Sequence, residues 1–577
     1  MASSPTITPE VSTSRSGRGS RWPARAAIVA ALILGVGLIA DGAARSSATY
    51  DEVAYQRIAA RWYRSGDQDE ITRMGSPLTF WKLQQTHTLE MFDRLGQGRW
   101  IDDPERFQAE SLPWLRIGAS WTWIVGFALT VAWAARMHGP GAAVAAAWLF
   151  TLSPNLLAHG GLITMEAPLV ACAAGIFWMF WEFLRAPGRG RAWWLGSAVL
   201  TGVAFSCKFT TILIGPMLTL AWCAVESLGP RRELPRRLAR VLGAMIIFGL
   251  VAIVANLAVT GFALLPISPR VGDHPVLVDR FGKNLGPTLA RLVETPIPQD
   301  WVGFLTQMSH QRHGGPSSLF GEVRNHGWWY YYFVALAVKA PLSLALLALG
   351  RVVLKSEPNH ADATRSLTWL PIFWIGLFFL AVAAGSSRNY GVRYLLPTAP
   401  LAIVWISGLA RAGRVGPWIL ALGLLGQGLA VLKVHPHELS YFNELAGGAR
   451  GGRKILADSN LDWGQGARDL ARLQRRYPDL SDLTTFYFGD THPAHYGVQG
   501  EVVVVNAVMS GDLEPPLEQR VKTRFVAVSA SLQYGPWSKP LGYFASLNSK
   551  EPWAILDDST IAIYEMHSTS QSDHDPR

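Results

Sequence analysis

Ala24-Arg25-Ala26-Ala27-Ile28-Val29-Ala30-Ala31-Leu32-Ile33-Leu34-Gly35-Val36-Gly37-Leu38-Ile39-Ala40 is the first long apolar run of the chain, and Ala48-Thr49-Tyr50-Asp51-Glu52-Val53-Ala54-Tyr55 follows shortly after it. A hydrocarbon core of about 30 Å takes about 17 to 25 apolar residues to cross as a helix. The first phrase therefore predicts a membrane span, and the second places two adjacent carboxylates just beyond its end. Similar runs recur near 114–135, 141–157, 166–184, 193–206, 209–226, 241–265, 329–350, 367–385, 394–410 and 416–433. Together they predict a polytopic α-helical membrane protein of about eleven spans. Composition agrees: of 577 residues 49% are hydrophobic and 16% charged, against roughly 25% charged in soluble domains.

Basic residues resist translocation and gather on the cytoplasmic side. Arg15, Arg18, Arg21 and Arg25 precede or open the first span; Arg185, Arg189 and Arg191 follow the fourth; Arg231, Arg232, Arg236, Arg237 and Arg240 follow the sixth. Arg351, Lys355 and Arg365 follow the eighth, and Arg411 and Arg414 the tenth. All fall on one face in an odd count, which predicts a cytoplasmic N-terminus and an external C-terminus. The net charge of +10 is thereby a topology signal, assisted by anionic lipid headgroups, and points to no nucleic acid. Cys172, Cys207 and Cys223 lie in or beside apolar runs, where a thiol acts as a small hydrophobe. The small residues after the first run suit a peptidase, yet an uncleaved anchor is expected, because cleavage would detach the Asp51 loop.

The predicted organisation is a cytoplasmic tail, 1–23; a transmembrane domain, 24–433, with long external loops 41–113 and 266–328; and an external α/β domain, 434–577. Ile58, Trp62, Tyr63, Leu89, Phe92 and Leu95 in the first loop predict amphipathic helices on the membrane surface. The second loop has no clear periodicity. In the tail, 454–457, 484–488, 501–505, 524–528 and 560–564 read as strands and 465–477 as a helix. Residues 1–20 and 567–577 read as polar and disordered.

Asp51 and Glu52 fit either a solvated helix start, favoured by the macrodipole, or a general base at the membrane surface. Between the third and fourth spans, the 153–168 segment carries His159 and Glu166 against very apolar sequence, where ionisable groups are functional by default. Lys208 and Arg393 lie on the external side, against the topology rule. An anionic lipid phosphate explains them, and snorkelling to headgroups is the plain alternative. Tyr394 follows Arg393. Lys339 lies deeper, to pair with an acid or line a polar cavity. In Asp458-Ser459-Asn460-Leu461-Asp462-Trp463-Gly464-Gln465, the Asp462-Trp463 pair suits a sugar through hydrogen bonds and stacking. Equally, Asp462 suits a cap on the following helix.

The Asp51-Glu52 pair, the Ser153-Pro154-Asn155 to Glu166-Ala167-Pro168 segment, Lys208-Phe209-Thr210, Lys339-Ala340-Pro341 and Arg393-Tyr394-Leu395-Leu396-Pro397 together resemble bacterial glycosyltransferase family 39 proteins. These are similar to protein O-mannosyltransferases and lipid A aminoarabinose transferases, of the membrane GT-C class. The tail phrase His437-Glu438-Leu439-Ser440-Tyr441-Phe442-Asn443-Glu444 and the Asp458–Gln465 motif resemble a bacterial subset of them. The resemblance implies inverting transfer of a sugar from a polyprenyl-phosphate carrier to a hydroxyl of a glycan, lipid or protein acceptor on the external face. It implies Asp51 as general base, with Glu52 the next residue to test. Glu166 would be a second carboxylate, at a position where many relatives have Asp, and Lys208 and Arg393 would hold the carrier phosphate. His159, Tyr394, Lys339, Asp462 and Trp463 are substrate-binding candidates. No external acidic cluster demands a metal, so no cofactor is assigned; a divalent cation is compatible. The rival readings are a secondary transporter, which needs paired charges near mid-membrane, and a non-catalytic polyprenyl-lipid-binding envelope protein, which needs no Asp51.

Overall fold

In a computed structural model of the protein, residues 22–67, 79–186, 190–266, 294–354, 367–385, 387–506 and 512–566 are described. The chain is mostly helical, with a sheet near its C-terminal end. Each of the eleven apolar runs forms helix. Among the described residues, seven helical stretches are long and apolar enough to cross a membrane, or up to nine if each of two bent pairs counts as one span. Two further runs form shorter helices, Arg191–Phe205 of 15 residues and Leu370–Gly385 of 16 residues. The basic residues at 15, 18, 21, 189, 355 and 365, and both predicted disordered ends, lie outside the described residues.

The two bent pairs differ from the straight spans expected. Pro140–Thr151 meets Pro154–Gly160 at 66°, and Tyr331–Lys339 meets Leu342–Val353 at 104°. Each break is at a proline, which cannot donate to the preceding turn and disfavours helix in the residue before it. The backbone groups freed there are partly met by protein: the Asn155 amide donates to the Lys339 carbonyl at 2.8 Å, so the two breaks meet.

After the first span, α1 (Trp22–Arg45), the first of the predicted loops forms α2 (Tyr50–Ser65) and a helix at Trp81–Arg94, helices as the amphipathic pattern predicts. Glu52 fixes the start of α2: its Oε2 accepts from the Thr49 backbone N–H at 2.9 Å and the Thr49 hydroxyl at 3.0 Å. Gly66, with φ +73°, ends the helix in the left-handed conformation glycine tolerates. The fourth span, α3 (Glu166–Arg185), is largely buried among its neighbours. The second loop, read as aperiodic, contains a helix at Gln299–His313.

The tail carries β1 (Leu483–Phe488), β2 (Glu501–Val505), β3 (Phe525–Ser529), β4 (Ala554–Ile555) and β5 (Ile561–Glu565), in the order β2-β1-β3-β5-β4. β1 is parallel to β2 and β3, whereas β5 runs antiparallel to β3 and β4. A helix, α4 (Ala467–Arg476), lies near the predicted place. Residues 454–457 are not a strand. The glycine-rich stretch before them closes turns instead, with the Ile455 and Leu456 N–H groups donating to the Gly452 carbonyl.

Candidate active site

Four charged residues far apart in sequence converge at the head of the helical domain. Asp51 lies in the first turn of α2, Glu166 opens α3, Lys208 precedes the 3-10 turn Phe209–Leu213, and Arg393 lies in the 3-10 turn Val392–Thr398 that opens a span. Arg393 Nη1 donates to Asp51 Oδ2 at 2.9 Å and lies 3.8 Å from Glu166 Oε1, while Lys208 Nζ donates to that same Glu166 oxygen at 3.0 Å. The result is a chain of alternating charge, Asp51–Arg393–Glu166–Lys208.

A cavity of about 460 Å³ adjoins this chain, lined by Asp51, Lys208 and Arg393 among others. Glu166 is not on its wall; it is buried behind both cations and holds them. Tyr394 forms the floor beneath Lys208, whose ammonium stands 4.2 Å from the ring centroid. Trp463 backs Arg393, with the guanidinium 4.3 Å from its ring. A cation near an aromatic face is stabilised without its charge being neutralised, so both contacts orient the cations and leave them able to hold an anion. Arg393 Nε, moreover, is buried with no hydrogen-bond partner among the described residues.

The C-terminal region completes the cavity. Phe488 ends β1, at the carboxyl end of the parallel strands where ligand crevices of α/β sheets form. Its ring stacks on Tyr50 at 5.5 Å and on Trp537 at 5.9 Å. These rings and Tyr390 make an aromatic wall on the same cavity. Asp458 lines it too, in a left-handed backbone conformation (φ +60°). Burial raises the Asp458 carboxyl to about 6 against the opposing charge of Arg393. Burial likewise raises Asp51, opposed by Arg393 and assisted by Glu166.

Other predicted candidates are placed elsewhere. Glu52 is fully buried and bound twice by Arg116, from Nε at 2.9 Å and Nη2 at 2.6 Å, and its Oε1 also accepts from the Ile163 N–H at 3.1 Å. It is adjacent to Asp51 in sequence yet points away from the cavity, because consecutive helix residues differ in direction by about 100°. Among the described residues Lys339 neither pairs with an acid nor lines this cavity: it donates to the Leu439 and Asn460 carbonyls at 2.9 and 2.5 Å. Asp462 neither caps α4 nor faces the cavity. It accepts from the Ser531 and Gly464 N–H groups at 2.9 and 3.2 Å, and burial raises its carboxyl to about 7. His159 is buried 6.5 Å from the Trp463 ring, behind the cavity wall.

Sequence reading missed Asp458, Tyr50, Tyr390, Phe488 and Trp537. Asp458 begins the very motif singled out, and its displaced role was hidden by the left-handed turn. The aromatic wall had no signal, being drawn from 24 Trp, 24 Phe and 15 Tyr residues scattered through the chain.

A family model described as dolichyl-phosphate-mannose-protein mannosyltransferase matches residues 114–257. An undecaprenyl phosphate-alpha-4-amino-4-deoxy-L-arabinose arabinosyl transferase of Pectobacterium carotovorum subsp. carotovorum is 25% identical over 394 residues, 62% of this chain and 67% of that protein. The chain is a membrane glycosyltransferase, and these matches support the GT-C class that the sequence resemblance implied. Similar solved structures include apo ArnT from Cupriavidus metallidurans, at 13% identity and TM-score 0.47 over 94% of this chain and 98% of that one. The apo oligosaccharyltransferase of Archaeoglobus fulgidus aligns at 12% identity and TM-score 0.38 over 91% and 72%.

Proposed function

We propose that the protein transfers a sugar from a polyprenyl-phosphate carrier to an acceptor hydroxyl, inverting the anomeric centre, with Asp51 as general base. The observation that carries this reading is the shared Arg393 guanidinium, hydrogen-bonded to Asp51 at the cavity wall and close to Glu166 behind it. A phosphate entering beside Lys208 competes with Asp51 for that guanidinium. Asp51 is then released from its ion pair in a partly desolvated place, where a carboxylate is a stronger base. Donor binding thus arms the base, and the acceptor hydroxyl loses its proton to Asp51 as its oxygen attacks the anomeric carbon. The C–O bond to the carrier breaks on the opposite side, and Lys208 and Arg393 stabilise the charge on the departing phosphate. Glu166 positions both cations, and the aromatic wall supplies faces for the sugar or the acceptor.

The same reading places the protein in a bacterial inner membrane, with the N-terminus cytoplasmic and the cavity and C-terminal domain in the periplasm. A reporter active only outside the membrane, fused after residue 577, is expected to be active. The acceptor is a glycan, lipid or protein at that face; the named relative's sugar, 4-amino-4-deoxy-L-arabinose, is the first donor to try. Protein reconstituted with polyprenyl-phosphate sugars and envelope extract is expected to release the carrier phosphate and form a glycosidic bond of inverted configuration. No carrier release with any donor, or retained configuration, overturns the reading.

A further inference from the structure

A second polar cluster lies away from the cavity, where the last membrane helix, Val415–Val434, gives way to the C-terminal domain. His437 follows that helix in the phrase His435-Pro436-His437, Asp469 sits in the first turn of α4, and Asp558 lies in the turn between β4 and β5. One donor atom from each lies within 4.8 Å of the other two. His437 Nδ1 is 3.6 Å from Asp469 Oδ2, too long for a hydrogen bond. The other Asp469 oxygen is taken by Arg472.

Asp558 supplies the independent observation. Only 1% of it is exposed. Its Oδ1 accepts from the Thr560 N–H at 3.0 Å and hydroxyl at 2.7 Å, which fixes the carboxylate plane. Its Oδ2 is buried with no hydrogen-bond partner among the described residues. A buried carboxylate oxygen left unmatched is costly, and an imidazole and one further carboxylate each bring a donor atom within 4.8 Å of an Asp558 oxygen. Burial raises both carboxyls, and the charge of Asp558 adds to the rise at Asp469, to about 6.

We propose that His437, Asp469 and Asp558 form a structural Zn²⁺ site that fastens the C-terminal domain to the end of the last membrane helix. One imidazole nitrogen and two carboxylate oxygens suit zinc, which takes these donors at about 2.0–2.2 Å. All-oxygen sets suit magnesium and calcium instead. A small side-chain adjustment closes the present spacing to a tetrahedral one, and the fourth ligand is water from the adjoining cavity of about 690 Å³, lined by His437 and Asp558. The three ligands come from the membrane-helix end, a helix and a hairpin, so one ion would tie three elements together.

The site also reaches the catalytic cavity through a short path. Three residues beyond His437, the Ser440 hydroxyl donates to the Leu461 carbonyl at 2.8 Å and accepts from the Gln465 amide at 3.2 Å. Those two contacts hold both ends of the loop bearing Trp463, the ring behind Arg393. None of the three ligands lines the catalytic cavity, so their role is to position the loop.

The test uses full-length, tag-free protein, stripped with EDTA and dialysed against Zn²⁺. One ion per chain is expected. His437→Gln and Asp558→Asn are each expected to weaken binding by more than the roughly 10- to 100-fold that loss of an outer-shell partner costs. Zinc should raise the unfolding temperature of the wild type and leave both variants unmoved. Should the variants fail to fold, the zinc-edge absorption spectrum of the wild type decides: a shell of one histidine nitrogen with oxygens supports the site. No stoichiometric binding, a sulfur ligand, or undiminished binding in folded variants overturns it.

Discussion

Two arginine–carboxylate pairs start from neighbouring residues of α2 and end in opposite situations. Glu52 and Arg116 are both fully buried, and every nitrogen of the guanidinium is occupied: Nη1 by Ala43 and Ser46, Nη2 by the Ser47 carbonyl and Glu52, Nε by Glu52. Asp51 and Arg393 retain 25% and 11% side-chain exposure at a cavity, and Arg393 Nε has no hydrogen-bond partner among the described residues. The sealed pair is a fastening: it joins α2 to the start of the second long span and, through the Ile163 N–H, to the turn before α3. The open pair is able to exchange partners, and an anion in the cavity is the natural competitor. Completeness of hydrogen bonding, more than charge, separates the fastening pair from the one proposed to be reactive.

The comparison breaks most sharply at Asp51. Asp51→Asn keeps size and an acceptor oxygen but removes the proton acceptor, so transfer should fall by about 10² to 10⁴, with the unfolding temperature preserved and donor binding equal to wild type or tighter, because the charge competing for Arg393 is gone. Glu52→Gln should do the reverse: a buried pair broken from one side costs about 3 to 5 kcal/mol, read as a lower unfolding temperature in detergent, with turnover per folded molecule retained. If Glu52→Gln instead abolished turnover at unchanged stability while Asp51→Asn was silent, the two roles would have to be exchanged.

Arg393→Ala and Lys208→Ala sharpen the open side. Each loses a contact with a phosphate charged in both ground and transition states, so KM for the donor should rise along with a fall in kcat. Direct titration with polyprenyl phosphate checks the binding part; affinity equal to wild type in both variants would remove them from the donor site. The smallest effect is in the pH profile. In its proposed role Asp51 works as the ionised form and burial raises its pKa, so activity should be present above that pKa and lost as pH falls through it. The acid limb should stand above the ordinary carboxylate value of 3.8. Because donor phosphate draws Arg393 away, the limb in kcat should lie at higher pH than the limb in kcat/KM. Coincident limbs would show that Asp51 keeps its arginine throughout the reaction.

Much of this architecture was legible in the chain itself. Apolar length follows from bilayer thickness, so the eleven runs were visible as helices without any knowledge of their packing, and four of the five predicted tail strands lie within a residue or so of β1, β2, β3 and β5. Asp51, Glu166, Lys208 and Arg393 stood out because charge beside so apolar a sequence needs a reason. What the sequence did not specify was direction and partnership. Nothing local shows that Asp51 faces a cavity and Glu52 a buried arginine: the two differ by one residue of helix rotation, and Arg116, which selects between them, is 64 positions away. The same limit hid Asp458, turned toward the cavity by a left-handed backbone, while Asp462 was turned into hydrogen bonds with Gly464 and Ser531. Residue chemistry and membrane thickness are local properties, and the sequence by itself determined what depends on them. Which charges meet depends on the angles at which distant helices and the C-terminal sheet pack, and only the tertiary structure decided that.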